Sequence, residues 1–360
     1  MSLLRSPSSR LLRPSFLLGR ALSCCAAEAT APAQPGSVSE YHQHVLLQLP
    51  RPEANGSSSS AEDSSGGTWW PPLIEKEPAV VAAFSAVAKN EDLIGGTVKI
   101  TAFDDVPGGS GQPTSSAPPP GSCNLVAFPA GLRWEGLALD LVGSAVAMAT
   151  AIDPQRLQLT QAQRKALNDR MVPVPSLSLF VCCHAARDAR CGAAGPPLAA
   201  ALQRLTRERG LAQHVQVFQT SHIGGHKYAG NVVVYGAMHP CDGDVFGGVT
   251  AACADAFLDA FMGVELGVDG GAGDPALRPF WRGRMGLSKL EQRDLFESGG
   301  AIEELLDVVS EDESYQEGEL GADGARRARV NGTAHRQRGD APSTPSMAEE
   351  LREGVTKYED

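Results

Sequence analysis

The chain has 360 residues, 42% of them hydrophobic, and a formal net charge of −11 at pH 7. That length can hold two domains of ordinary size, and the apolar content supports at least one real core. The acidity argues against a nucleic-acid-binding face, which needs clustered basic charge, and no run approaches the roughly 20 apolar residues that span a bilayer.

Residues 1–27 carry Arg5, Arg10, Arg13 and Arg20 among serines and leucines, with no acid before Glu28. This is the composition of an organellar transit peptide, and residues 1–39 are read as that peptide and a linker. The mitochondrial matrix is the first assignment, with plastid or cytoplasm as alternatives. A strand is expected over 44–49, then a flexible Ser/Gly/acid insertion over 52–67. Trp69-Trp70-Pro71-Pro72 precedes a helical pattern through 87, with Val80, Val81, Phe84 and Val87 on one side. Residues 97–103 alternate as a strand, 107–121 form a Pro/Gly/Ser loop, 124–128 a short strand and 137–152 a helix. Residues 40–155 are therefore a smaller N-terminal α/β domain, in which Trp134 and Glu135 take a core or rim role.

A polar helix over 155–170 ends at Pro173 and Pro175, and the second domain is placed at 156–300. A strand over 176–181 delivers Cys182 at its end. Gly195-Pro196-Pro197 is expected to open a helix that runs to Arg209 and stops at Gly210. Strands follow over 214–220 and 231–235, with a fourth at 245–249. His214 is read as an ordinary structural histidine. A helix over 251–262 turns Phe257, Ala260 and Phe261 inward. The link from Thr220 to Asn231 is too short for a helical crossover, so the third strand must run antiparallel to the second. This order is the core of a thioredoxin-like α/β fold with a mixed sheet. A Gly/Asp loop over 263–275 leads to Trp281-Arg282-Gly-Arg284, an anchor for the C-terminal segment, and Ser288-x-x-Glu291 has capping-box spacing. Residues 301–360 read as an acidic, mostly disordered tail, and the Asn331-Gly-Thr333 acceptor pattern there as chance.

The eight cysteines are irregularly spaced, and the neighbours Cys24-Cys25 and Cys182-Cys183 fit a disulfide framework badly. Reduced thiols are expected, some of them ligands. Cys182 and Cys191 bracket one loop between a strand and a helix. Arg187, Arg190 and the helix N-terminus favour thiolates there. His222 and His226 flank Gly224-Gly225, whose missing side chains let backbone approach a bulky centre. Structural zinc of the Cys2His2 kind usually has two to four residues between its cysteines, whereas eight separate Cys182 from Cys191. Cys182-x-His184 imitates half of a Rieske box, but the second box is absent. The remaining choice is a 2Fe-2S cluster on Cys182, Cys191, His222 and His226.

The run Val-Cys182-Cys183-His184-x-x-Arg187-Asp188-x-Arg190-Cys191-Gly-x-x-Gly-Pro, followed by Ser-His222-x-Gly-Gly-His226-Lys227-Tyr228-Ala-Gly-Asn231, resembles the sucrase/ferredoxin-like family. The Trp281 to Gly286 segment is similar to the family's C-terminal pattern. The resemblance implies a thioredoxin-like ferredoxin that transfers electrons through one 2Fe-2S cluster in redox homeostasis. Its ligands are Cys182, Cys191, His222 and His226, with Cys183, His184, Arg187, Arg190, Lys227 and Tyr228 around them. The choice between Cys182 and Cys183 as ligand stays open. Redox donor and acceptor proteins are implied without being identified. Two rivals stand beside it: a thiol-disulfide oxidoreductase, weakened by the lack of Cys-x-x-Cys, and a zinc-stabilised binding module. No carboxylate pair can be placed across a sugar, so glycosidase chemistry finds no support.

Overall fold

In a computed structural model, the described residues are 32–51, 69–107, 117–264 and 270–299. The expected transit peptide, the whole 52–67 insertion, the centre of the 107–121 loop, the Asn331 pattern and the 301–360 tail lie outside them.

The strands and helices run β1 (Gln43–Gln48), α1 (Pro78–Lys89), β2 (Val98–Asp105), β3 (Ser122–Phe128), β4 (Leu132–Ala138), α2 (Leu139–Thr150), α3 (Gln161–Asn168) and β5 (Met171–Val172). They continue as β6 (Leu177–Cys182), α4 (Ala189–Glu208), β7 (Val215–Thr220), β8 (Val232–Tyr235), β9 (Asp244–Phe246), α5 (Ala254–Gly263), α6 (Gly270–Gly273), β10 (Trp281–Arg284) and α7 (Lys289–Glu297). All ten strands join one mixed sheet in the order β10-β9-β8-β6-β7-β2-β1-β3-β4-β5. The protein is α/β, and no helix among the described residues is long and apolar enough to cross a membrane.

The sheet contains the same pattern twice. In the second half β6 runs parallel to β7 and antiparallel to β8, and β8 is antiparallel to β9. This is the thioredoxin-like order. In the first half β1 runs parallel to β2 and antiparallel to β3, and β3 is antiparallel to β4. The two halves meet through the antiparallel pair β2–β7, with Phe103 opposite Thr220.

Alternation along the strands separates two kinds of core. Val45, Leu47, Leu125 and Trp134 pack with Val80 and Ala83 of α1 and Val142 and Val146 of α2. Leu179 and Val181 pack with Leu198 and Leu202 of α4 and Phe257 and Phe261 of α5. The intervening residues Leu46, Phe103, Phe128, Phe180, Phe218 and Tyr235 form a third, largely aromatic core shared by both halves. In a flat sheet β3 and β8, five positions apart, would stand about 24 Å from each other. Yet Phe128 stacks on Tyr235 with ring centroids 4.1 Å apart, and His44 Nδ1 lies 2.7 Å from the Tyr235 hydroxyl. The sheet therefore curls around its aromatic face.

Several local expectations are corrected. The stretch from 132 to 138 is a strand, and the helix begins only at Leu139, because pairing with β3 overrides the helix preference of Leu and Ala. Helix α1 buries Ala79, Val80, Ala83 and Ala86 and leaves Val81 exposed, so its inner face is rotated from the expected one. The 155–170 helix divides into a 3-10 turn, Pro154–Arg156, and α3, which starts at a Thr160–Gln163 capping box. Residues 281–284, expected only as an anchor, add the edge strand β10, with Trp281 and Arg282 buried. His214 is exposed in the turn before β7. The Ser288–Glu291 capping box is present at the start of α7.

Candidate metal centre

Cys182 is the last residue of β6, and its amide donates to the Asn231 carbonyl at 2.9 Å. The next amide, of Cys183, donates across to Thr220 at 3.0 Å. The strand is thus pinned on both sides where its side chains diverge. Cys183 turns into the apolar core with Leu198 and Val232, and burial pushes its thiol up. Cys182 turns toward Cys191 and His222. One donor atom from each of these three residues falls within 4.8 Å of the others. The geometry favours Cys182 over Cys183 as the ligand.

Cys191 reaches this point because α4 begins six residues earlier than Gly195-Pro196-Pro197 implied. Asp188 caps the helix by accepting from the Arg190 amide at 2.9 Å, so Cys191 sits in the first turn rather than in a loop. Both prolines fall inside the helix. Gly195 explains how the helix packs: a Cβ there would lie 2.1 Å from the Cys182 carbonyl oxygen and 2.8 Å from Cys183 Sγ. Its bare backbone allows the strand end and the helix to touch.

His222 is placed by a relay. Ser221 donates from its amide to Ala102 at 2.8 Å, and its hydroxyl oxygen accepts from the Ala102 amide at 2.9 Å. The His222 amide then donates to His184 Nδ1 at 3.2 Å. With Nδ1 accepting, Nε2 carries the proton and donates to the Pro71 carbonyl at 2.9 Å. Both His184 nitrogens are occupied, and burial lowers its pKa and holds it neutral. His184 is a positioning residue for the backbone of His222.

His226 lies one step out. Its ring stacks on that of His222 with centroids 5.6 Å apart. Its side chain is 46% exposed, with Nδ1 3.7 Å from an Asp188 carboxylate oxygen. The structure thus brings three of the four expected ligands into one tight group and sets the fourth beside them, against Asp188. Arg190 pairs bidentately with Asp188 at 2.9 and 3.0 Å and holds that carboxyl down, to about 2. Arg187 points to the Pro72 carbonyl at 3.5 Å. Lys227 lies over the Tyr228 ring at 4.8 Å, and the Tyr228 hydroxyl donates to Gln34 at 2.9 Å. Gly225 has φ +71°, and a Cβ there would collide with the Arg282 guanidinium at 2.1 Å. The bare backbone of Gly225 thus admits the Arg282 guanidinium.

The electrostatics suit a metal. Cys191 hydrogen-bonds Cys182, which lowers the Cys182 pKa well below the ordinary thiol value, with His222 adding to the effect. Cys191 shifts the opposite way, since it keeps the shared proton. All three cysteines are fully buried. His222 Nδ1 is buried too and has no hydrogen-bond partner among the described residues, which is costly unless another group takes its lone pair. Two thiols and an imidazole with an orphaned nitrogen fit a soft or borderline metal or an iron–sulfur centre.

Sequence reasoning missed Lys99 and Arg282 as neighbours of this group. In the alternating strand over 97–103, Lys99 falls on the face opposite Val98 and Ile100, with nothing to tie it to the thiols. Arg282 stood in a matching motif with no indication of which loop it would touch.

The fold and site together define an α/β protein of repeated thioredoxin-like order with a buried Cys/His group that could hold metal. The sucrase/ferredoxin-like family model matches residues 34–283, and the chain belongs to that family. Among curated proteins it is similar to altered inheritance of mitochondria protein 32 of Meyerozyma guilliermondii, 33% identical over 22% of this chain and 29% of that protein. It is 47% identical to the protein of the same name from Eremothecium gossypii, over 17% of this chain and 18% of that one. It also resembles actin patches distal protein 1 of Saccharomyces cerevisiae, 37% identical over 16% and 21%. The chain thus aligns with less than a third of the length of these relatives. No solved structure matches it.

Proposed function

We propose that this protein is an electron carrier that holds one 2Fe-2S cluster on Cys182, Cys191, His222 and His226. The observation that carries this is the meeting of Cys182, Cys191 and His222 donor atoms within 4.8 Å, from the end of β6, the first turn of α4 and the loop after β7, in a buried site. When bound, such a cluster supplies one-electron redox chemistry. The chain's own part is to keep the Cys182 thiolate buried, fix the His222 backbone through His184, and leave His226 at the solvent edge as the exit toward a partner. Electron donor and acceptor proteins are implied. The names of the fungal relatives motivate a mitochondrial setting, as does the Arg-rich residues 1–27.

Thiol exchange is less well supported. A lowered thiol beside a raised one suits a nucleophile and its partner, but neither sulfur is exposed, and exchange needs access for the attacked disulfide.

Iron, acid-labile sulfide and EPR on the anaerobically purified protein test the proposal. It expects a red-brown protein with equal iron and sulfide and an EPR signal on reduction. Cys182→Ser and Cys191→Ser should lose the colour. His222→Cys and His226→Cys should keep it at a lower potential, because an added thiolate makes the centre more negative. A colourless protein loaded with zinc would overturn the reading.

A further inference from the structure

We propose that the cavity between Lys99 and Arg282 is a binding site for a compact monovalent anion, of chloride or nitrate size. The cavity measures about 40 Å3 and is bounded by Ser37, Tyr41, Lys99, Gly225, Val245 and Arg282, with no carboxylate among its described lining residues. A void of that size holds roughly three waters, or one such anion.

Its two cations have no carboxylate partner among the described residues, and they share the influence of a single buried thiolate, Cys182. Arg282 is only 2% exposed. Its Nη1 donates to Asn231 Oδ1 at 2.7 Å, and Nε and Nη2 donate to the Ser37 hydroxyl and carbonyl, each at 3.2 Å. Those acceptors are all neutral, and guanidinium has five N–H donors, so two have no acceptor among the described residues. Its face lies over the Tyr228 ring at 4.7 Å. The contrast with Arg284, two residues on, is direct: that side chain binds the Asp244 carboxylate at 2.7 Å. The Lys99 ammonium donates to the Ile223 carbonyl at 3.2 Å and lies 4.9 Å from the Tyr41 ring centre. It too touches dipoles and a π face but no carboxylate.

Two neighbouring cations in a partly desolvated site repel each other, and an unpaired buried charge is costly. Lys99 shows the strain as a pKa lowered to about 8, by burial first and Arg282 second. Arg282 is brought down to about 10 by burial. One thiolate does not balance two cations, and an anion between them would supply the second negative charge and accept the remaining N–H groups, as anions in cationic clefts do.

The test is thermal unfolding of the full chain as purified, in chloride or nitrate at fixed ionic strength, balanced with gluconate, which is too large for the cavity. The wild type should gain on the order of 5 °C in midpoint at saturating chloride or nitrate. Lys99→Met, which keeps the apolar stem, should lose that gain, and Lys99→Arg should retain it. An equal gain in Lys99→Met, or none in the wild type, would overturn the proposal. Iron measured in the same samples keeps the cluster separate, since the anion response is expected with or without it.

Discussion

Burial holds His44 neutral. It is fully buried on β1, with Nδ1 2.7 Å from the Tyr235 hydroxyl and Nε2 2.9 Å from Thr101. Its pKa lies well below 6.5, through burial first and Lys99 second. In the unfolded chain the same ring takes a proton near pH 6.5. The unfolded state therefore binds more protons below that pH, and folding stability must fall as pH drops from about 6.5 toward the folded-state value. The slope contributed by His44 is about 1.4 kcal/mol per pH unit. Chemical denaturation from pH 7 to 5 should show the decline, and His44→Gln, which cannot titrate, should flatten it. His184 and His239 are shifted the same way and keep a residual slope. The grouping of Cys182, Cys191 and His222 was legible in the sequence because thiols and imidazoles in two tight runs are rare in chance. Lys99 and Arg282 were not, because their roles come from β2 and β10 meeting the loop after β7, which no local pattern encodes.

Helix α4 shows where reading elements from the sequence reached its limit. Proline and glycine at 195–197 looked like a start signal, yet the helix runs through them and begins at Asp188. The start signal was the Asp188 carboxylate, and the helix continues through the prolines two turns later because its inner face, with Leu198 and Leu202, packs into the core. Asp188→Ala should cost about 1 kcal/mol by loss of the cap, read by urea unfolding. Asp188→Asn can still cap and should be nearly neutral, though it loses the Arg190 and His226 pairing. If both variants lose the same stability, the capping account of α4 fails. Gly195 belongs to the same element: Gly195→Ala should cost about 1–3 kcal/mol, because its Cβ meets backbone that cannot retreat. Strand β4 was illegible for a different reason. Its Leu- and Ala-containing run carries no clean alternation, and only pairing with β3 makes it a strand.

At the scale of the molecule, the repeated strand order raises the question of whether each half could stand alone. The sequence separated residues 40–155 from 156–300, and two thioredoxin-ordered halves are our proposal for how the chain is organised. Their helix-side cores are separate, but the aromatic core is common: Leu46, Phe103 and Phe128 come from the first half, Phe180, Phe218 and Tyr235 from the second. Cutting the chain after β5 would open the β2–β7 pair, leave two unpaired edges and expose both sets of rings at once. Residues 32–172 expressed alone should therefore lack a cooperative thermal transition and aggregate. The intact chain should unfold in one step by calorimetry. Tyr235 gives a milder probe of the same joint, because its hydroxyl meets His44 and Tyr41 while its ring stacks on Phe128. Tyr235→Phe keeps the stack but strands His44 Nδ1, and should cost about 1–3 kcal/mol. A first half that melts cooperatively by itself would mean that the shared aromatic core contributes little, and that curling of the sheet follows from the folding of each half rather than joining them.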